Sequence, residues 1–212
     1  MIDTDLDAAQ SPPSLEPRLV LGSSSPRRLR LLAQIGLEPD LVEAPDIDET
    51  PAKGEKPHAY AIRMAREKAE ALEPHYVGHF ILTGDTVVAT GTRILPKATT
   101  LAQARDCLTR LSGRSHSVYS ALTIITDRGQ VHERLSKNRV RFKRLSPREI
   151  SSYLDSGQWQ GKAGGYAIQG LAAGLISGIK GSFSAIVGLD LYHVQSILTG
   201  LGFGQIPKVT EA

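Results

Sequence analysis

Two periods of apolar and polar residues alternate along this chain, and the switches between them mark its elements. Leu19-Val20-Leu21-Gly22 is a short apolar run that reads as a buried strand. Ser23-Ser24-Ser25 follows, then Pro26-Arg27-Arg28 with Leu29, Leu32 and Ala33. This is strand, tight turn and helix, with Ser25 at the N-cap, Pro26 as the first helical residue and Gly36 as the stop. Residues 41–45 form a second extended piece ending in Asp46-Ile47-Asp48-Glu49. Over residues 58–73, Ile62, Ala65, Ala69 and Leu72 repeat at helical spacing and predict an amphipathic helix. Residues 80–82 predict a strand, broken at Thr83-Gly84-Asp85-Thr86 and resumed by Val87-Val88-Ala89.

Residues 100–111 predict another helix, opened by a Thr100/Gln103 capping box and striped by Leu101, Ala104, Leu108 and Leu111. Cys107 sits on that stripe as a packing residue. A β-branched run over 117–126, the turn Asp127-Arg128-Gly129-Gln130 and a return over 131–145 predict a hairpin. Ser146-Pro147-Arg148-Glu149 starts a helix that Gly157 ends. A glycine-rich loop covers 161–170. Leu175, Ile176 and Ile179 suggest a strand, and Val194, Ile197, Leu198 and Leu201 a last helix. Strands alternate with helices around a central hairpin, so the expected fold is α/β with a mixed twisted sheet flanked by helices.

At 212 residues, the length fits one large domain or two small lobes with a core that needs no staple. One cysteine excludes an internal disulfide and fits a reducing cytosol. No apolar run approaches the ~20 residues of a membrane span, and the opening residues lack a basic region followed by an apolar one, so a secretory leader is not expected. A cytoplasmic protein without a membrane partner is therefore expected. The 25 Lys+Arg and 22 Asp+Glu give a net charge of +3, unevenly spread. Residues 1–17 carry Asp3, Asp5, Asp7 and Glu16, no basic residue and several prolines, the pattern of a disordered acidic tail. Beyond that tail the 25 basic residues face 18 acidic ones, about +7, which suits an anionic ligand or simply a solvated basic surface.

Ser23, Ser24, Ser25, Arg27 and Arg28 are the first chemical candidates. A helix start with three hydroxyls and two guanidiniums suits a chain of phosphates; the alternative is a capped helix with solvent arginines. It is not a Walker loop. Asp85, following a strand and a glycine, stands where α/β sheets present ligand groups. With Asp46, Asp48 and Glu49 it offers carboxylates for Mg²⁺ or Mn²⁺, or for orienting water; the alternative for 46–49 is an acidic turn. Lys68, Lys97 and Arg114 suit a triphosphate or a plain surface. Gly164-Gly165-Tyr166-Ala167-Ile168-Gln169-Gly170 allows close backbone approach, and Gln169 offers a donor and an acceptor to a base edge. Lys137, Arg139, Arg141 and Lys143 form one basic strand face, an edge-protecting or nucleic-acid-contacting feature without interleaved aromatics. The six histidines and Cys107 form no zinc pattern, and no GxSxG elbow occurs.

The segments Gly22-Ser23-Ser24-Ser25-Pro26-Arg27-Arg28, Asp48-Glu49, Arg66-Glu67-Lys68-Ala69 and Gly84-Asp85-Thr86-Val87-Val88 come in a telling order. They are followed by Leu111-Ser112-Gly113-Arg114-Ser115-His116-Ser117-Val118, Lys162-Ala163-Gly164-Gly165-Tyr166-Ala167-Ile168-Gln169-Gly170 and Gly188-Leu189. Together they make residues 19–201 resemble the Maf family of nucleoside triphosphate pyrophosphatases, formerly called septum formation proteins. The resemblance implies a single Maf-like, ITPase-like domain over 18–204 with two lobes around a nucleotide-binding cleft, and a C-terminal tail over 205–212. It implies hydrolysis of a nucleoside triphosphate between the α and β phosphates. Asp85 would accept the proton, Arg27, Thr86 and Gln169 would set base choice, and Glu49, Lys68, Lys97 and Arg114 would form the metal and phosphate shell. Arg27, Arg114 and the 166–170 stretch resemble the dTTP/UTP branch, with modified pyrimidine triphosphates as further substrates, rather than a 7-methyl-GTP or purine branch. A divalent metal cofactor, Mg²⁺ or Mn²⁺, and a homodimer are implied too. A regulator of septation that binds nucleotide or nucleic acid without turnover is the competing class, resting on the basic strand. Pro96-Lys97-Ala98 stands where Gly-Lys-Pro is common, Asp190 where proline is frequent, and Ser184 where asparagine is common.

Overall fold

The structure, a computed structural model, describes residues 17–203; of the predicted tails at 1–17 and 205–212, all but Pro17 lies outside them. Its elements in order are β1 (Leu19–Gly22), α1 (Pro26–Gln34), β2 (Leu41–Glu43), α2 (Pro57–Leu72), β3 (Phe80–Thr90), β4 (Arg93–Leu95) and β5 (Lys97–Ala98). Then follow α3 (Leu101–Leu111), β6 (Ser115–Ile125), β7 (Val131–Phe142), α4 (Pro147–Asp155), β8 (Lys162–Ala163), β9 (Ile176–Lys180), α5 (Phe183–Val187) and α6 (Leu191–Gly200). The main sheet runs β2-β1-β3-β6-β7-β9, with β4 paired to the far part of β3; β5 and β8 form a separate ribbon. β1 is parallel to β2 and β3, whereas β3, β6, β7 and β9 are antiparallel. The expected mixed α/β sheet is therefore present. No helix among the described residues is long and apolar enough to cross a membrane.

Strand alternation builds two cores. Val20, Ile81 and Ile125 face Ala69 and Leu72 of α2, and Val87, Ala89, Tyr119 and Ala121 face Tyr60, Ala61, Met64 and Ala65. Leu19, Leu21, Leu82, Val88, Leu122 and Ile124 point to the opposite face and join a larger core with α1, α3, α4 and α6. Cys107 is buried in this second core, as a packing residue should be.

Several boundaries differ from the sequence expectation. β3 is not broken at 83–86: it pairs with β6 continuously from Ile81↔Ile125 to Ala89↔Ser117. Gly84 serves close packing, because a Cβ there would lie 3.0 Å from the Ala121 carbonyl oxygen. The buried stripe of α2 runs through Ala61, Met64, Ala65, Lys68, Ala69 and Leu72, leaving Ile62 at its margin. α5 was not anticipated; it is five residues long, too short to show a period. The two capping boxes are present as predicted, Thr100 with Gln103 and Ser146 with Glu149.

Candidate active site

β1 stops at Gly22, opposite Thr83, while β3 continues to Thr90. The sheet is thus open on the β1 side of Gly84 to Val87, beyond the carboxyl end of a parallel strand, where ligands bind in open α/β sheets. The chain leaves β1 through a tight gap. A Cβ on Gly22 would come within 2.6 Å of Thr83 Cγ2 and 2.7 Å of Leu72 Cδ1. It then turns over the three serines into α1. Ser25 holds the N-cap position in extended geometry, but its side chain makes no cap hydrogen bond. Ser23 Oγ instead accepts from Ser25 N at 3.1 Å and from Arg28 Nη1 at 2.9 Å. The Ser24 and Ser25 hydroxyls are left to the cleft at the positive end of the helix.

Period-two alternation puts Asp85 and Thr86 on opposite faces of β3, and the open edge exposes both to one cleft. Asp85 is 3% exposed and faces α2. There Lys68 Nζ lies 2.8 Å from Asp85 Oδ1 and 2.8 Å from Glu49 Oε1. Asp85 Oδ2 accepts no hydrogen bond among the described residues. Lys68 is therefore neither a surface cation nor a free phosphate ligand: it is buried and neutralises two carboxylates. The Glu49 loop is fastened to α2 by Tyr60 OH donating to Glu49 O at 2.7 Å and Arg63 Nη2 donating to Thr50 O at 3.1 Å. Lys97 closes the other side of Glu49. Burial raises the Glu49 carboxyl, but hydrogen bonds from Lys68 and Lys97 outweigh it and hold it at about 2.

Cations form the opposite wall. Arg28 Nε donates to Gly188 O at 3.0 Å; burial lowers its pKa, opposed by the charges of Asp85 and Glu49. Arg27 Nε is buried with no partner, and burial followed by the Arg28 charge lowers its pKa. An unpartnered guanidinium nitrogen of this kind is poised for an anion. Lys162 lines the same cleft, and burial and then the Arg27 charge lower its pKa. β5 and β8 bring the last two cations together through Lys97↔Ala163 and Ala98↔Lys162. Gly161 N donates to Ala98 O and Gly164 N to Pro96 O, so Pro96-Lys97-Ala98 is held extended. Gly164, at φ +67°, leaves no room for a Cβ, which would sit 2.7 Å from Val88 Cγ1.

On the far face of β3, Thr86 Oγ1 donates to Gly188 O at 3.3 Å, so one carbonyl holds both Thr86 and Arg28. Gln169 lines the rim and is exposed. Tyr166 lies beneath it, its hydroxyl 2.8 Å from His116 Nε2.

Ser23, Ser24, Ser25, Arg27, Arg28, Glu49, Lys68, Asp85, Thr86, Lys97 and Gln169 thus line one cleft of about 300 Å³. Arg114 does not line it. Its backbone is tied to Leu111 O and Phe142 N after the Gly113 turn at φ +70°, which leaves the side chain exposed at the α3–β6 corner. Asp46 and Asp48 are also outside; Asp48 Oδ1 accepts from Thr50 N as an acidic turn would. Lys162 and the Gly188 carbonyl were missed. The lysine directly precedes Ala163-Gly164-Gly165 and was readable there, whereas the carbonyl had no side-chain signal. The basic face of β7 lies away from the cleft: Lys143 pairs with Glu149, and the Lys137 ammonium sits 6.0 Å from the Tyr119 ring centre.

No group of three potential metal-ligating side chains occurs among the described residues. Glu49 and Asp85, both within reach of one ammonium, are a two-carboxylate donor set. That suits Mg²⁺ or Mn²⁺ shared with substrate phosphates rather than a closed protein cage.

A family model described as Maf-like protein matches residues 18–201. A dTTP/UTP pyrophosphatase of Rhodopseudomonas palustris (strain HaA2) is 52% identical over 193 residues, covering 88% of this chain and 93% of the relative. One from Novosphingobium aromaticivorans is 52% identical over 192 residues (91% and 96% covered), and one from Caulobacter vibrioides is 51% identical over 187 residues (88% and 97% covered). Among solved structures, a HAM1 protein from Coxiella burnetii aligns with a TM-score of 0.48 at 18% identity, over 87% of this chain and 99% of that one. With the family match spanning nearly all the described residues, and relatives above half identity along the same stretch, this chain belongs to the Maf-like protein family.

Proposed function

We propose that the protein hydrolyses dTTP and UTP at the α–β anhydride, giving the nucleoside monophosphate and pyrophosphate. The observation that carries this reading is a buried carboxyl group, Asp85, held 2.8 Å from Lys68 Nζ in a cleft that Arg27, Arg28 and Lys162 also line. The names of the relatives supply the pyrimidine preference.

Arg27, Lys162 and Lys97, with the hydroxyls of Ser24 and Ser25 and the α1 N-terminus, would bind the phosphate chain. Asp85 Oδ2 would accept a proton from the attacking water, while Lys68 holds Oδ1 and fixes the carboxylate rotamer. Thr86 and Gln169 would meet the base. Glu49 and Asp85 would hold Mg²⁺ or Mn²⁺, which when bound offsets charge on the phosphoryl oxygens. Lys68 would take up the excess negative charge of the two carboxylates in its absence.

A panel of nucleoside triphosphates, assayed with and without Mg²⁺, tests the reading. dTTP and UTP should be hydrolysed best, with release of pyrophosphate, and chelation should stop turnover. Asp85→Asn should lower kcat by at least about a hundredfold while leaving the fold intact. Release of single phosphates, a purine preference, or an unchanged rate in Asp85→Asn would overturn it.

A further inference from the structure

Arg28 and Thr86 both lean on Gly188 O, so the position of that carbonyl decides where two cleft side chains point. Gly188 closes α5 at φ +155°, and its own N–H and that of Leu189 both donate to Ser184 O. These backbone bonds close the turn on itself, and among the described residues its only bond to β3 is the 3.3 Å one from Thr86. Two side-chain hydrogen bonds join the 182–190 segment to β7, at residues two apart on one strand face. Asn138 Oδ1 accepts from Ser182 N at 2.8 Å before α5, and Ser136 Oγ donates to Asp190 Oδ2 after it.

Asp190 is an odd choice for stability. It is 5% exposed, its Oδ1 has no partner, and the nearest cation-forming group, His193 Nε2, is 3.9 Å from Oδ2. A buried carboxylate with an orphaned oxygen is unfavourable. Although it occupies the N-cap position of α6, its side chain makes no cap hydrogen bond. The carboxylate is turned to Ser136 instead. Its backbone, at φ −81°, is close to what a proline ring imposes, and its N–H donates no hydrogen bond among the described residues.

We propose that Asp190 is a positioning residue: through Ser136 it locks the Gly188 turn against β7, and Gly188 O in turn aims Arg28 and Thr86 into the cleft. The side chain replaces, by a tie to the sheet, the rigidity that a proline would give by its ring. The effect on nucleotide handling rests on the pyrophosphatase reading; the effect on Arg28 does not.

The experiment uses the full chain, ¹⁵N-labelled, as wild type, Asp190→Ala, Ser136→Ala and Asp190→Pro. Hydrogen exchange at the Arg28 Nε–H, assigned by its loss in Arg28→Lys, reads the Gly188 contact directly. Both alanine variants should exchange about tenfold faster than wild type, and should raise KM for dTTP about tenfold with a smaller change in kcat. Asp190→Pro should restore both to within about threefold, which a merely stabilising carboxylate would not do. Unchanged Arg28 exchange in the alanine variants, or a proline variant as impaired as alanine, overturns the proposal. Should Asp190→Ala not fold, Ser136→Ala, which removes one hydroxyl, decides alone. A wild type that hydrolyses no triphosphate would sink the substrate reading, and the exchange rates would still decide the role of Asp190.

Discussion

Lys68 Nζ touches Asp85 Oδ1 and Glu49 Oε1 at 2.8 Å each, with its own side chain only 7% exposed and that of Asp85 5%. Replacing it by a neutral residue strands the Asp85 charge in a buried site. Lys68→Met should therefore lose about 3 kcal/mol of unfolding free energy, and adding Asp85→Asn should recover part of that loss in a urea titration. His116 offers a second test. Burial, and then the Arg139 charge, push it down to about 4 from 6.5. In the native state it binds fewer protons than in the unfolded chain between these values. Its contribution is fully present above pH 6.5 and is lost as pH falls through about 4, at most roughly 3 kcal/mol. The Glu49 contribution is present above about 4.5 and fades only as pH falls toward 2. Melting temperatures of the wild type should thus begin to fall below pH 6.5, and His116→Gln should flatten the curve down to about 4.5. A wild-type curve already flat over that window would count against the buried neutral imidazole.

Among the elements, two helix starts look alike in sequence and differ in structure. Ser146 Oγ accepts from Glu149 N, and Glu149 Oε2 accepts from Ser146 N, so Ser146→Ala should cost about 1 kcal/mol. Ser25 caps nothing, so Ser25→Ala should change stability by less than about 0.5 kcal/mol while weakening triphosphate binding. Urea unfolding and nucleotide titration of the two variants separate a structural serine from a ligand-facing one. Capping boxes were legible because donor and acceptor lie three residues apart, and the starts of α3 and α4 fell at Thr100 and Ser146 as read. Gly84 and Asp85 look like a turn in a local window, so the sequence predicts a break that the continuous β3 does not have. In fact the glycine makes room for the Ala121 carbonyl, and the aspartate meets a lysine from α2. Lys68 reads in the sequence as a phosphate ligand or a surface cation, yet it lies within the buried stripe of its helix because Asp85 receives it there.

For the whole molecule, the cleft is assembled from residues of five separated parts of the chain, 22–28, 44–45 with Glu49, 85–88, 161–169 and 186–188, with Lys68 and Lys97 added. A ligand that bridges them should stabilise the native state as a unit. In the Asp85→Asn variant, which should bind without turnover, Mg²⁺·dTTP at about 100 times its Kd should add about 2.7 kcal/mol and raise Tm by about 5–10 °C. No rise with dTTP, alongside a rise with a purine triphosphate, would reassign the substrate. The net charge of +3 concealed this geometry, since Arg27, Lys97 and Lys162 line the cleft while Lys137 and Lys143 do not. Whatever nearby residues decide together was legible along the chain: the helical and strand periods, the two capping boxes, the serine-arginine turn after β1 and most members of the site. Their partnership came from the fold. Arg28 meets a carbonyl 160 residues away, Lys68 meets both Glu49 and Asp85, and Arg114 is left outside. Those outcomes follow from sheet register and from β1 ending at Gly22 while β3 runs on, and contacts set by register across distant strands leave no mark in any local window of the chain.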